Sequence, residues 1–206
     1  MSFGILIYPG VEELDFQGPW EMVGMWHKYA GGPAPRLIAR DLEPVRCAHG
    51  MRVLPDADFA NAGPLTQLLV PGGFAAFDEM NRSDLTGFVS HHADAGGTTM
   101  SVCSGSFILL AAGVLAGRRA STNWKVVARL REAGVEVVED RYTRDGPVWT
   151  SAGVSAGIDM VLAYIAATQG EEVASQVQMQ AEYFPEGRVY GHAREGQPVP
   201  AYIARA

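Results

Sequence analysis

The chain has 206 residues, 48% of them hydrophobic and 19% charged, and a formal net charge of −7. That length suits one domain with a substantial core, and an acidic balance without a basic block argues against a nucleic-acid partner. Two cysteines make neither a disulfide framework nor a metal cluster, no run approaches the ~20 apolar residues of a membrane span, and the N-terminus lacks a signal peptide's charged start, so a cytoplasmic protein is expected.

Phe3 to Tyr8 is a continuous apolar run, as in a strand covered on both faces, and Pro9-Gly10 ends it. Pro19 fits the first turn of a helix along which Met22, Met25, Trp26 and Tyr29 recur at i, i+3, i+4 and i+7. Gly31-Gly32-Pro33 closes that helix, and Arg36 to Arg40 and Met51 to Leu54 read as strands. Gln67 to Val70 is a buried strand entering Pro71-Gly72-Gly73, Leu85 to Ala95 a helix, and Thr98 to Val102 a further strand. Trp124 to Ala133 reads as a helix stopped by Gly134, with strands near Val135–Val138 and Val148–Thr150. Ile158, Val161, Leu162 and Ile165 mark a last helix. Such alternation predicts an α/β fold with an open, mostly parallel sheet and helices on both faces, binding ligands at the carboxyl ends of its strands.

Cys103 ends the strand Thr98–Val102, and the apolar helix Phe107-Ile108-Leu109-Leu110-Ala111-Ala112 follows at once. A tight strand-to-helix turn among small residues is how an α/β sheet presents a nucleophile. The positive end of the following helix should favour thiolate. A buried core cysteine is the alternative. Three loops should meet there: those after the first strand, after Val70, and at Cys103. Gly72 and Gly73 offer backbone N–H groups for an oxyanion hole, with the N–H of Ser104 as a further donor. Asp15 is either a helix cap or an acid beside the thiol whose burial raises its pKa. Phe16, Phe74 and Phe77 are expected to wall the site, while Trp124 and Trp149 could line it but better suit the core. His91 and His92 are read as solvated on a surface helix, His49 and Cys47 are too few for a zinc site, and His27 and His192 have no assigned role. No metal or cofactor is expected.

The segments Tyr8-Pro9-Gly10-Val11-Glu12-Glu13-Leu14-Asp15, Leu69-Val70-Pro71-Gly72-Gly73, Ser101-Val102-Cys103-Ser104-Gly105, Ala111-Ala112-Gly113-Val114-Leu115 and Ser151 to Asp159 resemble, in that order, the ThiJ/PfpI superfamily. The likeness spans roughly residues 3 to 170, while 185–206 match poorly. It implies one domain over 1–206 with the flavodoxin-like, class I glutamine amidotransferase-like three-layer sandwich and its nucleophile elbow. Leu14-Asp15-Phe16-Gln17-Gly18-Pro19 and Val177 to Tyr183 are most similar to the isonitrile hydratase branch, though amidase-like domains of AraC-type regulators share these elements. Too few residues follow the α/β domain for a helix-turn-helix pair, which disfavours a regulator.

The resemblance implies that Cys103 is the nucleophile, Asp15 its acid/base partner and Ser104 a hydroxyl that holds water or Asp15. It implies a homodimer, for which Trp20, Tyr183 and Phe184 offer interface aromatics. Family members often carry His before Trp after the elbow helix, where this chain reads Ser121-Thr122-Asn123-Trp124. Asn123 cannot act as a general base, which counts against peptidase or amidase chemistry. The implied reaction is hydration of an isocyanide to an N-substituted formamide. The alternatives are glyoxalase-like or deglycase-like chemistry on α-oxoaldehydes, and a non-enzymatic redox or stress sensor oxidised at Cys103.

Overall fold

The computed structural model describes residues 2–185, 191 and 196–204. β1 (Ser2–Leu6) leads into α1 (Glu13–Ala30), and β2 (Ala34–Ala39) returns beside it. A hairpin of β3 (Val45–Arg46) and β4 (Arg52–Val53) stands outside the main sheet, and β5 (Ala57–Asp58) extends the sheet's edge. β6 (Leu65–Val70), α2 (Ala76–Glu79), α3 (Ser83–Asp94), β7 (Thr98–Val102) and α4 (Gly105–Ala111) carry the centre of the fold. β8 (Arg119–Ala120) pairs in parallel with β9 (Glu136–Val137), with a 3-10 turn at Trp124–Val126 and α5 (Val127–Glu132) between them. β10 (Tyr142–Asp145), β11 (Val148–Ser151), α6 (Ala156–Gln169), α7 (Glu171–Gln180) and α8 (Ala201–Ala204) complete the described elements.

Among the described residues seven strands form the central sheet in the order β10-β11-β7-β6-β1-β2-β5, parallel throughout except for the β10–β11 hairpin. The three central strands are the apolar runs of the sequence: Phe3, Ile5, Leu6, Leu68, Leu69, Met100 and Val102 are wholly buried. Helices flank the sheet in two groups, α1 with α6 and α7, and α4 with α2 and α3. This is the expected α/β sandwich, in which both faces of the sheet are removed from water. Among the described residues no helix is long and apolar enough to cross a membrane.

Several local expectations change. α1 begins at Glu13, so Pro19 lies inside the helix rather than in its first turn, and the N–H it lacks leaves the Asp15 carbonyl without its helical partner. Asp15 is thus a first-turn residue and not a cap: Glu12 holds the cap position and makes no side-chain capping bond. The strands expected at Met51–Leu54 and Val135–Val138 are two-residue pieces outside the main sheet. The edge strands β5 and β10 are polar and short, and no apolar alternation announces them.

His92 is not solvated. It is buried, its Nε2 lies 3.0 Å from the Thr98 carbonyl, and burial lowers its pKa. A side chain on Gly97 would strike that ring at 2.2 Å, so glycine is what admits it. His192 lies outside the described residues. Trp149 is core, as expected, packing edge-on against Tyr164 with ring centroids 5.6 Å apart.

Candidate active site

The loops that follow β1, β6 and β7 meet at the carboxyl end of the sheet. Cys103 stands at their centre with φ of 59°, a left-handed conformation that costs energy for a residue with a side chain and persists only where the surroundings impose it. Its N–H donates to the carbonyls of Ser151 and Ala152, both at 3.2 Å. Its own carbonyl accepts the Thr122 hydroxyl at 2.9 Å and the Ser106 hydroxyl at 3.3 Å. Gly105 lets the turn close, because a Cβ there would lie 2.2 Å from the Val70 carbonyl oxygen. The elbow is thus clamped from the strand behind it and from the helix side.

Asp15 reaches this point from α1 and is fully buried. Its Oδ2 accepts the Gly72 N–H at 2.8 Å, while its Oδ1 is buried without a hydrogen-bond partner. Burial, with the charge of Glu12 acting the same way, raises its pKa to about 8, against the opposing pull of the Gly72 N–H and the Cys103 thiol. Asp15 is therefore a neutral carboxylic acid near pH 7, with a free oxygen beside the thiol.

The thiol itself departs from the sequence reading. Burial first, and then the Asp15 charge, push Cys103 up to about 12, although the Ser104 N–H, the Asn123 amide and the Ser104 hydroxyl all favour thiolate. The start of a seven-residue helix does not outweigh removal from water and a neighbouring carboxylate. At rest the pair is thiol plus acid.

Gly72, Gly73 and Ser104 are all at the site, but in different roles from those expected. The Gly72 N–H is taken by Asp15, and the Gly73 N–H donates to Ser104 Oγ at 3.0 Å. Ser104 Oγ in turn donates to the Gly73 carbonyl at 2.8 Å. These two N–H groups are therefore not open donors: a buried carboxyl and a buried hydroxyl must be satisfied, and they are the nearest groups able to do it. Of the expected donors, the Ser104 N–H alone faces the sulfur. The loop is also pinned from beneath, where the buried Tyr8 hydroxyl lies 2.7 Å from the Pro71 carbonyl and 3.0 Å from that of Gly72. Close approach accounts for Gly72, whose Cβ would fall 2.6 Å from the nitrogen and hydroxyl of Ser104.

A cavity of about 170 Å³ opens over the thiol, with Phe74, Phe77, Val126 and Val154 as apolar walls and Glu12, Asn123 and Lys125 as polar ones. Among the described residues no histidine lines it. Phe16 is instead buried in the core, and Trp124 lies under the Lys125 ammonium, 5.6 Å from ring centroid to nitrogen. Glu12, Glu13 and His49 bring one ligand atom each within 4.8 Å of one another. There the His49 imidazole sits 2.9 Å from Glu12 and the His49 backbone N–H donates to Glu13 at 2.8 Å, so the three form a hydrogen-bonded cluster at the loop. Asn123 lines the cavity with Cys103, a place that its reading as a missing base does not give it. The signal for it is its place after the elbow helix, one residue before Trp124.

Residues 1–167 match the DJ-1/PfpI family. The chain belongs to that family. It is 34% identical to isonitrile hydratase of Pseudomonas putida over 185 residues, covering 90% of this chain and 79% of that enzyme. It is 26% identical over 144 residues to the glutathione-independent glyoxalase DJR-1.2 of Caenorhabditis elegans, covering 69% of this chain and 77% of that protein. Among solved structures, a ThiJ/PfpI family protein from Pseudomonas syringae superposes with a TM-score of 0.86 at 30% identity, covering 99% of this chain and 83% of its own. The DJ-1/PfpI family thus includes relatives of this chain named for two different reactions.

Proposed function

We propose that this DJ-1/PfpI protein hydrates isocyanides to N-substituted formamides, with Cys103 as nucleophile, Asp15 as proton carrier and Ser104 holding the Gly73 loop. The observation that carries this reading is a buried carboxyl with an unpartnered oxygen beside a buried thiol, at a small, largely apolar cavity with no histidine among the described residues. The carbon of an isocyanide is electron-rich and must be protonated before it accepts a nucleophile. Asp15 gives that carbon its proton, and the resulting nitrilium is attacked by the Cys103 sulfur, whose own proton passes to the Asp15 carboxylate. The product is a thioimidate, with Asp15 again neutral. Water then adds across the C=N bond, the hydroxyl proton returns to sulfur by way of Asp15, and cleavage of the C–S bond releases the formamide and the thiol. One isocyanide and one water give one formamide, and the enzyme is unchanged.

The identity to the Pseudomonas putida hydratase supports the same reading. Asn123 and Lys125 add two polar side chains that would hold the oxygens of an α-oxoaldehyde, which makes glyoxalase chemistry the second reading. A thiol-based sensor is disfavoured, because oxidation follows thiolate character and exposure, and Cys103 has little of either.

The test is turnover of a simple alkyl or aryl isocyanide against methylglyoxal, with Cys103→Ala as blank. Formamide release abolished by the substitution is expected, with methylglyoxal consumed at least ~10-fold more slowly, a gap of about 1.4 kcal/mol in barrier. The reverse order of rates would make the second reading the better one. We further propose a homodimer. Phe184 is strongly exposed, as are Leu14, Met51 and Phe74 around the site, whereas Tyr183 turns inward to donate to Asp159 at 3.0 Å. Sedimentation at twice the 22.1 kDa chain mass is expected at micromolar concentration, and a species at the chain mass would refute it.

A further inference from the structure

We propose that Asn123 is a catalytic residue, whose carboxamide N–H donates to the Cys103 sulfur and holds the negative charge that develops there as the thiol surrenders its proton. The proposal deepens the hydratase reading and takes its substrate from it.

The orientation of the amide is set from both ends. Its oxygen caps the 3-10 turn at Trp124–Val126, accepting the Lys125 N–H at 3.0 Å, so the NH2 group is the end left for the site. That NH2 group lies over Gly153, where a Cβ would sit 2.1 Å from Nδ2. Gly153 is not among the glycines with positive φ, so the amide and not the backbone is what requires the missing side chain there. Asn123 and Cys103 line the same cavity, and the amide favours the ionised form of the sulfur.

The rest of the donor set makes this bond matter. The N–H groups of Gly72 and Gly73 are spent on Asp15 and on Ser104 Oγ, and the Ser104 hydroxyl, 4.0 Å from the sulfur, donates more closely to the Gly73 carbonyl, which leaves the Ser104 N–H and the Asn123 amide as the donors free for the sulfur. A preorganised donor aimed at developing charge in a water-poor site is among the strongest catalytic devices available to a protein. When the S–H bond breaks, its electron pair stays on sulfur and becomes the C–S bond while the proton goes to the Asp15 carboxylate. Asn123 keeps all its protons and stabilises the sulfur on either side of that transfer. A histidine there would also accept protons, whereas the Asn123 carboxamide does not titrate, which fits a reaction in which Asp15 alone carries them.

The experiment uses Asn123→Ser, which retains a turn-capping hydroxyl but falls short of the sulfur, and Gly153→Ala, which displaces the amide with Asn123 intact. Alkylation of Cys103 by iodoacetamide is followed by peptide mass mapping between about pH 7 and 10, since its rate tracks the thiolate fraction. Both variants are expected to alkylate about tenfold more slowly, with the pH profile displaced to the alkaline side. Both should also lose ~10²-fold in kcat on an isocyanide, the usual effect of removing one such donor. Alkylation of Asn123→Ser at the wild-type rate across this range would overturn the proposal. Alkylation slowed as stated, in a protein that turns over no isocyanide, would uphold the amide–sulfur role and sink the hydratase reading instead.

Discussion

Asp15→Asn is expected to lower kcat by ~10²–10⁴, the range for loss of a positioned acid, while raising the melting temperature at alkaline pH. The two effects have one origin. Burial holds the folded-state pKa of Asp15 at about 8, far above the ordinary value of 3.8, so between those values the folded protein binds a proton that the unfolded chain has released. Stability therefore falls as pH rises through this window, by at most ~1.4 kcal/mol per unit. Asparagine carries no such penalty, can accept the Gly72 N–H as Asp15 does, and should remove the slope. Calorimetric melts at about pH 5 and pH 8 should show the variant gaining on wild type at the higher pH. The neutral acid is the form that protonates the substrate, so wild-type kcat should be level below about pH 7 and decline above about pH 8. A decline on the acid side instead would mean that Asp15 works as a carboxylate base, and near-normal turnover by Asp15→Asn would reduce it to a structural residue.

What the sequence announces and what it conceals divide along a physical line. The central strands are announced by runs such as Leu68-Leu69-Val70, because a strand covered on both faces must be apolar throughout. The elbow is announced because a tight turn at Cys103 demands small neighbours, and Gly105 is where the Val70 carbonyl presses closest. The meeting of Asp15, Gly72 and Cys103 follows once the parallel order is known, since loops at the carboxyl ends of adjacent strands must converge. The state of those groups is concealed. Whether the Gly72 N–H is open depends on a carboxylate 57 positions away, and no local pattern encodes that bond. A helix end acidifies a thiol by a local effect, whereas burial and the Asp15 charge are properties of the assembled site and outweigh it. His92 illustrates the same limit: beside His91 it looks solvated, and only the space left by Gly97 shows it as a buried partner of Thr98. Asn123 was legible as the absence of a base, but its value as a donor depends on Lys125 and Gly153 fixing the amide.

Gly105→Ala is expected to cost at least ~3 kcal/mol of stability and to abolish turnover. The added Cβ would lie 2.2 Å from the Val70 carbonyl oxygen, 2.8 Å from that of Pro71 and 3.0 Å from the Pro71 carbonyl carbon. All three are backbone atoms at the end of a central strand, so no side chain can swing aside to relieve the contact. Relief requires α4 to move away from β6, and Ser104 with its bonds to Gly73 must move with it. That displacement would also disturb the left-handed turn at Cys103, whose strain persists because its N–H and carbonyl are both clamped. Gly113→Ala is the natural comparison at the far end of the same segment: no atom lies within 4 Å of its added Cβ, and its φ of 77° leaves only backbone strain. Urea denaturation should place Gly105→Ala well below Gly113→Ala in midpoint, with formamide release lost in the first and retained in the second. Equal midpoints would mean that the strand-to-helix junction is loose enough to absorb a methyl group, and the elbow could then not be the rigid mount that the proposed attack by Cys103 requires.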